Sequence, residues 1–453
     1  MAAIMEDGLI NLLAISSISL LVIGVIVARS LKHLTVVELF LVFGAIQFFG
    51  LAVADVFLRE IDELDSVVVT VAQLSVLFAY IVTWGVSRAI ISKQSPLVIV
   101  NLLAIGERIA TSLLVAGLIG VSLLRLYAFL EYGVASHIDI THTDGGAVTM
   151  PYGFTSLYNI MNPVVIMIFL AAVAKVTASG ERPRRNWYVD LAVGLIAGIL
   201  LMTFGRRMAL YVSIMTVVVV LIRQRKTRLI YWVGGLVLVI GFMLVFSNIY
   251  QGYRQFLAPR ADIRAGSLGE AAGDMHATIE NLRERDKVWQ FHYSILDEQL
   301  RGTSRDVPYG EITLQAAANS IPRVFWPNKV AIQLDAMVAR IYGFEITDYP
   351  GSTLAFLVAD YGSIGYFIFV GIMVGLVMAT IRLLDLLKVA PILQFAAVGL
   401  LLFHLIDVEN ELTDYFLMVR NFGLIILVGA VLRGLYGFRA VMRGAVRPER
   451  VGH

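Results

Sequence analysis

Apolar runs of about 20 residues recur along this chain with short polar breaks between them, the length a helix needs to cross the hydrocarbon of a bilayer. Spans are expected at 9–28, 35–57, 66–88, 107–130, 153–175, 187–204, 208–222, 229–247, 354–380, 389–406 and 415–437. A transmembrane β-barrel has no such runs, because its strands alternate lipid-facing and lumen-facing residues. Charged residues make up 15% of the chain and hydrophobic ones 58%, against roughly 25% charge in a soluble domain. Most side chains must therefore meet lipid or a packed helical interior. The sequence predicts an all-α, polytopic membrane protein with about 11 transmembrane helices.

The formal net charge of +2 says little here, because the placement of charge carries the information. One set of connections holds Arg29 and Lys32, then Arg88, Lys93 and Arg108, then Lys175, Arg182, Arg184 and Arg185. Arg223, Arg225, Lys226 and Arg228 continue it, followed by Arg382 and Lys388 and a tail with Arg433, Arg439, Arg443, Arg447 and Arg450. The alternate connections are acidic: Glu60 to Asp65, then Glu131, Asp139 and Asp144, then Asp407, Glu409, Glu411 and Asp414. Lys and Arg mark the cytoplasmic side, so the N-terminus is expected outside and the C-terminus inside. The first eight residues carry Glu6 and Asp7 and no basic residue, so the first apolar run is expected to be a retained helix rather than a signal peptide.

Three parts follow. Residues 1–247 form a bundle of about eight spans, and 352–453 add about three more spans and the basic tail. Between them, 248–351 form one large extracytoplasmic loop containing helices. Within it, apolar residues at helical spacing (Val288, Phe291, Ile295, Leu296) predict an amphipathic helix inside 268–300, lying along the outer surface. The Asp306–Gly310 stretch reads as a turn, and a helix is expected over Thr313–Ser320, ending before Pro322. On the other side, Leu97–Val100 reads as either a surface or a re-entrant segment.

On this topology the ionisable residues collect at one depth: Arg125, Arg206 and Arg207, Asp360, His404 and Arg420. Such groups are costly inside a membrane and face a partner or a wet cavity. The plainer alternative is snorkelling or a helix-to-helix pair, such as Arg420 with Asp360 or Glu411. Arginines on the outward side run against the usual bias. Guanidinium groups match phosphate oxygens in a bidentate fork, and they stabilise charge developing on a diphosphate leaving group without a metal. The sequence offers no P-loop, dinucleotide fingerprint, Gly-x-Ser-x-Gly or Asp-x-Asp pair, and no cysteine. His137–Asp144 mixes imidazoles and carboxylates without metal-ligand spacing. No metal, cofactor or nucleic acid is expected.

The string Ile321-Pro-Arg-Val-Phe-Trp-Pro-Asn-Lys329 brackets an aromatic pair between two prolines, each with a cation beside it. Phe325 and Trp326 suit headgroup-level anchoring or stacking on a sugar face, with Arg323 and Lys329 reaching phosphate. This string resembles the Pro-Arg-x-x-Trp-Pro-x-Lys segment of Wzy-type oligosaccharide repeat-unit (O-antigen) polymerases. Similar to that family too are Gly351-Ser-Thr with Ala359-Asp-Tyr-Gly-Ser-Ile-Gly365, Arg340 spaced ten residues ahead of Gly351, and the short turn Phe204-Gly-Arg-Arg-Met-Ala209. The related ligases carry a loop histidine where this chain reads Pro350-Gly-Ser-Thr353.

The resemblance implies a GT-C-like, metal-independent glycosyltransferase at the outer face of the bacterial inner membrane. Its substrate would be an undecaprenyl-diphosphate-linked oligosaccharide, and a chain-length regulator joins the lipid bilayer among the expected partners. Arg206, Arg207, Arg323 and Arg340 are expected on the donor diphosphate, with Arg125 and Arg420 completing a cationic cavity and Lys329 and Tyr349 as further substrate contacts. Asp360 is expected to accept the acceptor's proton, with Asp348, Glu411 and His292 as alternatives. The competing reading is a transporter or flippase of the same lipid-linked glycans.

Overall fold

The computed structural model describes residues 2–58, 64–132, 152–178, 187–203, 206–224, most of 230–246, 288–301, 307–321, 325–326, 332–344, 351–387, 391–406 and 412–445. The described residues form helices and no strand. In chain order these are α1 (Ala2–Ser30), α2 (Val36–Ala45), a π-helical turn (Ile46–Gly50), α3 (Leu51–Leu58), α4 (Ser66–Ile90), α5 (Ile99–Gly106) and α6 (Thr111–Tyr132). Next come α7 (Tyr152–Val176), α8 (Trp187–Met202) and α9 (Arg206–Arg223). After a long interval follow α10 (Val288–Arg301), α11 (Glu311–Ser320), α12 (Leu334–Tyr342) and α13 (Thr353–Tyr361). The chain closes with α14 (Ile364–Leu386), α15 (Pro391–Ile406) and α16 (Leu412–Ala445).

Five stretches are long and apolar enough to cross a membrane: Asp7–Ser30, Val36–Phe57, Ser66–Ile90, Thr111–Glu131 and Ile364–Leu386. Shorter apolar helices include Pro163–Val176, Trp187–Met202, Met208–Arg223 and Pro391–Leu405. Helices α1 and α6 turn large apolar side chains such as Leu21, Ile119 and Leu123 outward, as lipid-facing helices do. Helix α2 lies at the centre, with Val36 to Leu41 all buried. Phe40 stacks on Tyr80 of α4, ring centroids 4.7 Å apart. Gly44 makes that approach possible, because a methyl group there would overlap the Tyr80 ring.

The entry to α2 is tied down by a buried carboxylate. Thr35 and Glu38 form a capping box, which satisfies amides left orphaned by the helix start. Glu38 also accepts from Trp84 Nε1 at 3.0 Å and faces Arg88 Nε at 3.6 Å. Thr35 pairs with Val98 in an isolated bridge, through Val36 N to Leu97 O at 3.0 Å and Ile99 N to Leu34 O at 2.9 Å. Of the two readings for Leu97–Val100, the structure favours insertion: Leu97, Val98, Ile99, Leu102 and Leu103 are buried, and α5 packs against α7 and α15. Eight residues rise only about 12 Å, so α5 enters the bundle without crossing it.

Helices α10 to α13 form a layer over one end of the bundle. Helix α10 has the apolar stripe expected of an amphipathic helix. Its stripe of Val288, Trp289, Phe291, His292, Ile295 and Leu296 is buried, packed on α4, the π-helical turn and α13. Two further bonds from α10 to α3 secure it, Trp289 Nε1 and Gln290 Nε2 both donating to Asp55 Oδ2, at 2.9 and 3.0 Å. Residues 268–287 lie outside the described residues.

The expected single span at 354–380 is corrected to two helices. Ser352 caps α13 by accepting from Ala355 N at 3.1 Å, and every residue from Thr353 to Asp360 is buried. Gly362, at φ 61 and ψ −144, then turns the chain into α14. That backbone conformation is open to glycine alone. Gly362→Ala should lower stability by about 1–3 kcal/mol in thermal unfolding of the detergent-solubilised protein. Gly371→Ala, inside α14 with open space around it, should not. Equal melting points for the two variants would contradict this account of the break.

Candidate functional site

Helix α11 begins on a turn that supplies no side-chain cap: Tyr309 has φ 45 and Gly310 φ 109. Its first amides would be left without acceptors. Asp360, buried on α13, supplies them. Its Oδ1 accepts from Gly310 N at 2.9 Å and Ile312 N at 3.1 Å. Its Oδ2 accepts from Thr313 N at 2.8 Å and Thr313 Oγ1 at 2.6 Å. At the other end of α11, Arg420 of α16 donates from Nη1 to Ser320 O at 3.3 Å. A carboxylate thus sits at the positive end of the helix dipole and a guanidinium at the negative end.

This geometry corrects one expectation: the Arg420–Asp360 pair does not form, because the two groups hold opposite ends of a helix about 15 Å long. Asp360, expected as proton acceptor, has both oxygens filled by four donors, so a sugar hydroxyl would first have to displace one.

At the end of α11, Asn319 Nδ2 donates to Ile332 O at 2.8 Å, and Gln315 Nε2 holds Asn319 Oδ1 at 2.9 Å. Of the 321–332 string, the structure describes Ile321, Phe325, Trp326 and Ile332. Phe325 and Trp326 are 80% and 47% exposed. Arg323 and Lys329 lie outside the described residues. Helix α12 follows and carries Arg340, exposed, in its last turn. Tyr342 ties α12 to α13, donating to Ala359 O at 2.7 Å and accepting from Gln299 Nε2 at 2.8 Å. Asp348, Tyr349 and Glu411 lie outside the described residues, as does the His137–Asp144 stretch.

Arg125 belongs to a second group. From α6 it donates through Nη1 to Leu200 O at 3.0 Å and Thr203 Oγ1 at 2.8 Å, at the C-terminal end of α8. It thereby anchors the helix end that leads into the turn before α9. Arg206 and Arg207 open α9, with side chains outside the described residues. Contacts run α9 to α8 to α7 to α15 to α16. Arg125 thus bonds the end of α8 and Arg420 the end of α11, as two separate anchors.

Sequence reasoning missed a third feature, a cleft of about 360 Å³ between α4, α10 and α14. Tyr366 stands on its α14 wall, across from Ser75 of α4. Behind it, His292 Nε2 lies 2.7 Å from the Tyr366 hydroxyl. His292 is 1% exposed, and burial lowers its pKa from 6.5 to about 3. It is a neutral hydrogen-bonding partner at physiological pH. The available signal was weak: a tyrosine at the start of an apolar run and a lone histidine on the apolar face of α10. Compared with protein-family models, with curated proteins and with solved structures, the chain finds no match in any of the three.

The low pKa of His292 makes a signed prediction. Protonation favours any state that exposes the imidazole to water, so its contribution to stability is complete above pH 6.5 and falls as pH drops toward 3. Each pH unit is worth about 1.4 kcal/mol. Between pH 6.5 and pH 5 the wild type should lose about 2 kcal/mol more than His292→Gln. Thermal unfolding across pH reads this directly, and parallel profiles would refute it.

Proposed function

We propose that this protein is a membrane glycosyltransferase that lengthens glycans carried on a lipid diphosphate at the outer face of a bacterial inner membrane. In this reading the eleven expected spans hold the 248–351 segment outside. The donor gives up its diphosphate as the growing glycan passes to a hydroxyl on the incoming lipid-linked unit. One observation carries the reading. The Pro-Arg-Val-Phe-Trp-Pro-Asn-Lys string, which resembles the polymerase motif, carries two exposed aromatic side chains, Phe325 and Trp326. It follows helix α11, whose end is bonded by Arg420 and to Ile332. Exposed residues beside a fixed element are how scaffolds present binding groups.

In this reading each residue has a role. Phe325 and Trp326 stack on sugar or lodge at headgroup level. Arg323, Lys329 and the exposed Arg340 meet phosphate, where guanidinium groups stabilise the negative charge that grows as the diphosphate departs. Arg206, Arg207 and Tyr349 are assigned to the same substrate on the strength of the resemblance. Arg125, Arg420 and Asp360 are assigned a different task from the one the sequence suggested: they hold the elements that carry the others.

Purified protein given lipid-linked repeat units in detergent should produce a ladder of longer glycans on a gel. Arg340→Ala and Arg207→Ala should each slow chain growth by about 10²-fold while eluting as the wild type does in gel filtration. Unchanged glycan length with the wild type, or a normal ladder from both variants, would overturn the reading.

A further inference from the structure

The cleft between α4, α10 and α14 has the makings of a ligand site distinct from the arginines. Three helices each contribute one face to it: Ser75 and Phe78 from α4, Gln299 and Leu300 from α10, Tyr366 and Phe367 from α14. Val71, Ser75 and Phe78 recur at spacings of four and three residues, which place side chains on one side of a helix. The cleft's volume falls within the range of small-molecule pockets.

Two features narrow the ligand. First, among the described residues no charged side chain lines the cleft, so it does not suit a diphosphate or an ammonium group. Its polar groups are hydroxyls and an amide: Ser75, Ser363, Tyr366 and Gln299. Second, its rim is apolar and open. Phe78, Leu300 and Phe367 are all exposed, and the Phe78 and Phe367 rings meet edge to face at 5.9 Å. The site therefore pairs hydroxyl-bonding groups with a hydrocarbon flank.

The polar wall is also built rather than incidental. Tyr366 is held by buried His292, whose Nε2 lies 2.7 Å from its hydroxyl. Gln299 is fixed by Nε2 bonds to Tyr342 OH at 2.8 Å and Val358 O at 3.0 Å. On the far side of its ring, His292 Nδ1 has no hydrogen-bond partner and lines a small cavity of about 10 Å³. Gln73 Oε1, also unpartnered, lines the same cavity. A cavity of that size with two polar partners suits a single water, which would hold the imidazole against Tyr366.

We propose that this cleft binds the uncharged, hydroxyl-rich head group of a neutral glycolipid, its sugar joined to the lipid with no phosphate between, with Tyr366 and Ser75 bonding its hydroxyls and the chain lying along Phe78 and Phe367. The site stands apart from the glycosyl-transfer reading above, whose substrates carry a diphosphate. Aromatic flanks beside a tyrosine hydroxyl suit a sugar, which presents apolar C–H faces and polar edges.

The test is photolabelling of the full-length protein in nanodiscs with an alkyl glucoside bearing a diazirine on its sugar. Peptides covering 71–78, 296–300 and 362–367 should carry the label. Excess unlabelled glucoside should compete, and the same alkyl chain with a sulfate head group should not. Ser363→Trp, at an exposed turn position, fills the cleft without entering the core and should abolish the labelling. Tyr366→Phe should weaken it about three- to tenfold, as loss of one hydrogen bond does. Equal competition by the sulfate, or uniform labelling of lipid-facing α1, would mean an adventitious detergent only and overturn the proposal. Head-group-selective labelling of a wild type that never changes glycan length would keep the cleft and overturn the glycosyl-transfer reading. Chain growth by Ser363→Trp with its labelling intact would do the reverse.

Discussion

A short helix held at both ends by charge organises the layer of α10 to α13. Helix α11 is too short to be stable alone, since isolated helices of this length are marginal in water. It persists because Asp360 receives its first amides and Arg420 its last carbonyl. A buried carboxylate without partners would be prohibitively costly, and here four donors meet it. The same bonds fix where α13 lies against α11.

Arg125 and Arg420 follow one logic. A part-buried guanidinium needs acceptors, and the carbonyls at a helix C-terminus supply them along with a favourable dipole. Arg125 uses the end of α8 and Arg420 the end of α11. Each stands just ahead of a segment that resembles a polymerase motif. The cations that face a charged substrate in the proposed function are therefore different from the cations that hold the scaffold, even though hydropathy ranks them together.

Much of the bundle was legible because helix-length apolar runs have few alternatives in lipid. The 66–88 and 187–204 runs appear as α4 and α8 with ends shifted by two residues or fewer, and the helix expected over 313–320 is α11. The break at Gly362 was not legible, since a hydropathy window averages across one glycine and one aspartate in an otherwise apolar run. Where α10 docks was not legible for a related reason. Its stripe was read correctly, but the acceptor it docks on, Asp55, sits inside a distant apolar run. The cleft draws on residues 75, 299 and 366, which no local pattern links. Asp360 illustrates the remaining gap: its depth could be read from hydropathy, and only the fold supplied its partners.

The most direct measurement is hydrogen–deuterium exchange of the full-length protein in nanodiscs, followed on peptides covering 307–321. Asp360→Ala and Arg420→Gln should each accelerate exchange in α11 by roughly 5- to 100-fold, the equivalent of about 1–3 kcal/mol in lost capping bonds. Exchange in α10 should stay at its wild-type rate in both. Unaltered exchange in α11, or a uniform rise across the whole layer, would contradict the account.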